Sequence, residues 1–260
     1  MPHLTRTDAD GIAHIEMTEP ARLNALSDGM LAALQDELNL LRDDVDTRVV
    51  ILSGAGKAFC AGHDLREMQA ARQNADGGAA AWGDLFTRCA AMMQTVQSIS
   101  QPVIAQVHGI ATAAGCQLVA TCDLAVAADT CKFGVNGVNI GLFCSTPMVA
   151  LTRNIARKHA FEMLTTGRFI DAAEAREIGL INKSVPADRL APEARTLART
   201  IAAKLPIAVK TGKQAFYQQA QMTTEQAYAY TGDIMVDNML NAQTNEGIKA
   251  FLEKRDPDWT

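Results

Sequence analysis

A chain of 260 residues, 48% hydrophobic and 20% charged, with a mean hydropathy near zero, has enough apolar material for a full core and is too hydrophobic for a disordered segment. Its formal charge of −5 is spread along the sequence without a basic run, which argues against nucleic acid as a partner. No apolar stretch approaches the ~20 residues of a membrane-spanning helix, so no membrane partner is expected.

The opening residues, MPHLTRTDADG, carry Asp8 and Asp10. They lack the apolar segment of a signal peptide and the acid-free character of a transit peptide, so a cytoplasmic location is expected. Residues 11–20, GIAHIEMTEP, alternate apolar and polar and end at Pro20, the pattern of a half-buried strand. Over 26–44, Ser27 stands where an N-cap belongs, and Met30, Leu31, Leu34, Leu38 and Leu41 follow at helical spacing, which predicts a helix. RVVILSG (48–54) is a β-branched apolar run closed by Gly54, the mark of a strand buried on both faces. GKAFCAGHDLREM (56–68) comes next, and RQNADGGAAA (72–81) predicts a loop.

The order then recurs. Leu85, Met92, Met93 and Val96 predict a helix over about 82–98, and QPVIAQVHG (101–109) a strand. ATAAGCQLVATCD (111–123) runs through small residues to the polar Gln117, and short strands are expected at 123–129 and around Phe133. From Pro147 onward the pattern is helical, with long amphipathic segments at about 187–219 and 223–254. Strand, turn and helix in repetition argue for an α/β fold with a helical C-terminal part.

Six cysteines, at 60, 89, 116, 122, 131 and 144, show no CxxC spacing and read as free buried thiols. Five scattered histidines form no HxxxH or HExxH pattern, so no metal site is expected. Two places share one local chemistry, VVILSG leading to CAGHDLREM and VIAQVHG leading to ATAAGCQLVA. A helix start leaves N–H groups without partners, and small residues let a ligand approach them. Two such starts facing each other would offer a single oxygen two donors.

GKAFCAGHDLREM, AAGCQLVATCDLAVAA, FGVNGVNIGLF and LTTGRFIDAAEAREIGLINKSVP, in that order, resemble the enoyl-CoA hydratase/isomerase, or crotonase, superfamily. The resemblance runs from LNALS at residue 23 to AFLEKRDPDW near the end. More narrowly, AAGCQLVATCD, GLFCSTP and MVDN resemble the subgroup of enoyl-CoA hydratase domain-containing protein 3 and its bacterial relatives. The resemblance implies a spiral of ββα units with a helical C-terminal trimerisation region. The spiral core would take residues 1–200 and the helices 201–260, as one functional unit assembled into a homotrimer or a dimer of trimers. It also implies an acyl-CoA thioester as the bound partner, with coenzyme A entering as part of the substrate and no separate cofactor.

By motif position, the two oxyanion donors fall at the N–H groups of His63 and Ala114, and coenzyme A contacts at Arg22, Leu23, Ala25, Ala61, Leu65, Phe251 and Lys254. The family's hydratases carry carboxylates at the positions of Gln117 and Gly137. Gln cannot titrate and Gly has no side chain, so water addition is not expected here. Replacing both by Glu should bring hydration back. The resemblance leaves an enzyme of fatty acid metabolism, lyase-like, isomerase-like or hydrating only to a limited extent, working through a thioester enolate.

AGHD also resembles the oxyanion segment of methylmalonyl-CoA decarboxylase, whose downstream tyrosine corresponds to Cys144. An acyl-CoA decarboxylase and a catalytically reduced acyl-CoA-binding protein therefore stand as alternatives. His63 is a candidate proton donor as well as a backbone donor, and Cys116 and Cys144 are candidate nucleophiles as well as buried thiols. Asn136 and Asn139 could orient an acyl group or shape a turn.

Overall fold

The computed structural model describes residues 2–259. The polar segment Leu4–Ala9 forms β1, antiparallel to β2 (Ile12–Met17). Only β2 is legible beforehand, because β1 is largely exposed and carries no apolar alternation. Ser27 caps α1 (Asp28–Asp43) by accepting from the Met30 N–H, and the five apolar residues at helical spacing are all buried. Every residue of β3 (Val49–Gly54) is buried.

The chain then forms α2 (Leu65–Ala71) and α3 (Ala79–Ser98). The loop expected over 72–81 is shorter than its composition suggests. The Asp76 carboxylate accepts from the N–H groups of Gly78 and Ala80, which starts α3 at Ala79. Next come β4 (Val103–Val107), β5 (Ile110–Thr112), α4 (Ala114–Thr121), β6 (Leu124–Ala128) and β7 (Lys132–Gly134). A 3-10 turn at Asn136–Ile140 leads to α5 (Ser145–Asn154) and α6 (Arg157–Thr166). β8 (Phe169–Asp171), α7 (Ala172–Glu177), β9 (Lys183–Val185) and α8 (Leu190–Ala202) complete the core. The two long amphipathic segments break where the sequence offers a new start. α9 (Pro206–Gln219) begins on a proline, and Asn241 separates α10 (Thr224–Leu240) from α11 (Ala242–Glu253).

Six strands pair in the order β1-β2-β3-β4-β6-β9, parallel apart from β1, and three more pair as β5-β7-β8. Parallel bridges at Leu26–His63 and Cys60–Ala111 carry the smaller layer back through the earlier turns. Each coil of the chain thus lays a strand in the large sheet, a short extended segment in the second layer, and then a helix. This is the expected spiral of ββα units. Among the described residues no helix is long and apolar enough to cross a membrane.

One buried polar cluster fastens α9 to the core. Lys213 Nζ donates to the carbonyls of Val96 and Gln101, at 2.8 Å each, and to Asp123 Oδ2 at 2.7 Å. The other Asp123 oxygen accepts from the Tyr217 hydroxyl, and Oδ2 also accepts from the Val103 N–H. Burial holds the Lys213 pKa below its ordinary value, while Asp123 acts in the opposite direction.

Candidate active site

Backbone pairing fixes the first strand-to-helix turn. The fully buried Asn24 donates to the carbonyls of Ala55 and Ala58, at 2.9 and 2.8 Å, and accepts from the Glu19 N–H. The Ala61 N–H donates to the Leu23 carbonyl and the Leu26 N–H to the Gly62 carbonyl. The His63 N–H takes no part in that pairing. Gly62 sits at φ +90°, and Asp64 then caps α2 by accepting from the Arg66 N–H.

The second turn reaches the same place from β5. Ala113 has φ 49° and ψ −120° and donates to the Gly134 carbonyl. Ala114 opens α4, so its N–H has no partner within the helix. The turns press together where they meet. A Cβ on Gly62 would stand 2.9 Å from Ala113 Cβ and 3.2 Å from the Ala114 nitrogen, and one on Gly115 would stand 2.1 Å from the Cys60 carbonyl oxygen. The two turns, from two coils of the spiral, are thereby in contact across Gly62 and Gly115.

The turns border a cavity of about 390 Å³ whose wall includes Ala61, His63, Leu65, Ala114, Gly137 and Cys144. Met68, Phe86, Leu142 and Phe143 supply apolar surface, while the Thr112 hydroxyl donates to Asn136 Oδ1 at 2.6 Å within the wall. Among the described wall residues there is no Asp, Glu, Lys or Arg. Phe86 lies next to Leu85, beside the buried stripe of α3. An extra aromatic off that stripe is the one sequence signal that could have placed it.

The His63 ring stands edge-on to Phe86 with centroids 5.7 Å apart. Its Nδ1 lies 3.4 Å from the Leu26 carbonyl oxygen, which can only accept, so Nδ1 carries the proton in that contact. Nε2 is buried with no hydrogen-bond partner. Burial drives the His63 pKa below its ordinary value; Arg88 acts in the same direction, and the Leu26 carbonyl and Asp28 oppose it.

Gln117 lies one turn into α4, buried, and is not a wall residue; its Oε1 has no partner. Gly137 does line the cavity, but a Cβ there would stand 2.2 Å from the Leu142 carbonyl oxygen and 2.9 Å from Cys144 Sγ. Glu at 137 would therefore need the Leu142–Cys144 loop to move, and Glu at 117 would be buried outside the wall. The obstacle at 137 is space, since its φ lies outside the left-handed region.

All six cysteines are free and buried. Desolvation raises the thiol pKa of Cys116 to about 12 and also pushes Cys144 upward, so neither supplies a thiolate at neutral pH. Asn139 is committed to the Gly167 carbonyl at 3.2 Å. Arg22 is half-exposed and reaches Asp64 at 3.3 Å and Glu67 at 3.4 Å, Leu23 is exposed, and Ala25 is buried. Phe251 is 82% exposed on α11, in a separate groove that shares no residue with the cavity, and Lys254 follows on the same helix end. Within one chain, Phe251 and Lys254 are not brought to the cavity.

The family described as enoyl-CoA hydratase/isomerase matches residues 7–260. The chain is 44% identical over its full length to the mitochondrial enoyl-CoA hydratase domain-containing protein 3 of Rattus norvegicus, covering 85% of that protein. A crystal structure of an enoyl-CoA hydratase from Mycobacterium smegmatis superposes with a TM-score of 0.95 at 48% identity, covering 100% of this chain and 99% of that one. The human enoyl-CoA hydratase domain-containing protein 3 structure gives 0.93 at 43% identity, covering 99% and 100%.

These names bear out the resemblance read from the motifs and overturn the cytoplasmic expectation. The rat, mouse, frog, human and zebrafish relatives are all named mitochondrial. The expectation rested on the composition of the opening residues, Asp8 and Asp10 among them, which does not fix a compartment.

Proposed function

Given that the chain belongs to the enoyl-CoA hydratase/isomerase family, we propose that it binds an acyl-CoA thioester in this cavity and stabilises the thioester enolate between the N–H groups of His63 and Ala114. The carrying observation is the contact of the two turns across Gly62, whose missing side chain leaves the Ala114 nitrogen in reach. An enolate concentrates negative charge on oxygen. Two fixed donors and the positive end of α4 meet that charge without solvent reorganisation. Losing one such donor typically slows a reaction roughly 100- to 1,000-fold.

A wall without a carboxylate speaks against ordinary water addition, which needs one group to take a proton and another to supply one. The reaction is therefore enolate chemistry of an isomerase-like or lyase-like kind that does not use a pair of acids. The same feature supports a second reading, an acyl-CoA-binding protein with reduced turnover. A decarboxylase reading has less support, because an acyl group carrying its own carboxylate would meet no cation in the wall.

Arg22, Leu23, Ala25, Ala61 and Leu65 form the edge along which coenzyme A lies in this reading. Phe251 and Lys254 would reach it only from a neighbouring copy. The exposed Tyr228, Met235, Val236, Met239, Leu240 and Leu252 of α10 and α11 support assembly of copies through these helices, as a homotrimer or a dimer of trimers in this reading. Calorimetry with octanoyl-CoA and octanoate tests the ligand: tight binding of the thioester and weak binding of the acid are expected, and equal affinities would sink the assignment. Loss of enoyl absorbance from crotonyl-CoA tests the chemistry. Turnover within a hundredfold of an ordinary hydratase would overturn the claim that water addition is disfavoured.

A further inference from the structure

A second cavity lies at the other end of the large sheet. The two turns follow the C-terminal ends of β3 and β4, whereas this cavity, of about 240 Å³, sits where those strands begin and shares no residue with the first. Its wall is drawn from the end of α1, the turn into β3, the segment before β4 and the junction of α8 with α9. Ile201, Ile207 and Val209 give it apolar surface, and it includes four cations, Arg42, Arg48, Lys204 and Lys210. Among the described residues none of the four has an ion-pair partner. The one carboxylate in the wall, Asp44, is already committed: it accepts from Arg6 at 2.6 Å, from the Thr47 hydroxyl at 2.8 Å and from the N–H groups of Asp46 and Thr47. Asp43 and Asp46 are exposed and stand outside the wall.

The helix-end carbonyls that would repel an anion are occupied as well. Gln101 Nε2 donates to the carbonyls of Leu41 and Asp44, at 2.8 and 2.9 Å, and Arg48 donates to that of Ala202 at 3.0 Å. The Ser100 hydroxyl, also in the wall, has no partner among the described residues. Single surface cations are simply solvated, but four around one concavity repel each other, and a bound anion relieves that repulsion. We propose that this cavity is a second ligand site, which takes a small organic phosphate. The dianionic phosphoryl group sits among the cations, and the organic body lies against Ile201, Ile207 and Val209. The guanidinium forks of Arg42 and Arg48 suit phosphate oxygens, and the two lysines act as point charges. A fatty carboxylate, with one charge, would leave most of this positive field unmet. The site is independent of the acyl-CoA reading of the first cavity.

The test is calorimetry with adenosine monophosphate as the probe and adenosine as its uncharged control. The nucleotide should bind once per chain, more weakly as KCl is raised, and adenosine should bind far more weakly. Coenzyme A carries the same nucleoside with phosphates, so the titration is repeated on protein saturated with octanoyl-CoA, where the nucleotide should still bind. Arg42→Gln combined with Lys210→Gln removes two groups that have no partner to lose. It should weaken the nucleotide about 10-fold or more and leave octanoyl-CoA affinity within a factor of about two. In the wild type, the nucleotide should protect Lys204 and Lys210 from acetic anhydride, read by mass spectrometry, while the exposed Lys249 of α11 reacts as before; this readout holds even if the variant fails to fold. Absence of nucleotide binding, its displacement by octanoyl-CoA, unchanged affinity in the folded variant or unprotected lysines would each overturn the site. Failure of octanoyl-CoA itself to bind would overturn the acyl-CoA reading and leave this site standing on the variant and the protected lysines.

Discussion

The turns at residues 60–64 and 112–115 present the same kind of N–H group with different backbone devices. In the first, the left-handed position is a glycine, Gly62 at φ +90°; in the second it is an alanine, Ala113 at φ 49°. The difference follows the space around each residue. A side chain at 62 would strike Ala113, and one at 115 would strike the Cys60 carbonyl. Gly62 and Gly115 stand where an added side chain would strike the opposite turn, while Ala113 keeps its methyl group against Gly62 and carries the strain of a positive φ. Close approach has priority over conformational ease at this site.

The most severe way to break the pairing is the double replacement of Gln117 and Gly137 by Glu. It puts a buried charge on the second turn's helix and drives a side chain into the Leu142 carbonyl, so a loss of several kcal/mol is expected. Urea denaturation should show it, with no gain in crotonyl-CoA hydration. Gly115→Ala strikes the contact itself. Pushing α4 off Cys60 should cost about 3 kcal/mol and abolish octanoyl-CoA binding by calorimetry; unchanged binding would mean the turns need not touch.

A gentler test separates the turns by their side chains, since only the first carries a titratable group. Burial lowers the His63 pKa, so the unfolded chain takes up the proton at a higher pH than the folded one. The stability due to a neutral ring is whole above about pH 6.5 and declines as pH falls, by at most about 1.4 kcal/mol per pH unit. His63→Gln should therefore lose less stability on acidification than the wild type. His14, also lowered by burial, is common to both proteins and cancels. The smallest effect expected is Ala113→Gly, which relieves the strained dihedral and should stabilise by about 0.5–1 kcal/mol, read as a higher melting temperature with octanoyl-CoA affinity unchanged.

Much of this comparison is legible in the sequence. Strand, small residues and a helix start mark both turns, and the Ser27 cap and the α1 stripe fall where their spacing puts them. What escapes depends on residues distant in sequence. β1 has no pattern of its own and exists through pairing with β2. Gly137 reads as a missing acid, and only the folded loop reveals Leu142 and Cys144 against it. The withdrawal of Gln117 from the wall, and the burial of His63 Nε2 beside Phe86, depend on packing between coils that no local periodicity encodes.

The Lys213 cluster has a consequence for how the molecule opens. Its ammonium draws on α3, the segment before β4 and the start of β6, so peeling α9 away would strand the Asp123 carboxylate half-buried without its cation, at a cost of several kcal/mol. Local fraying of α9 is thus tied to disruption of the sheet behind it. Amides in the middle of α9 and the Val103 amide bonded to Asp123 belong to one cooperative unit, and their hydrogen-exchange protection rises and falls together.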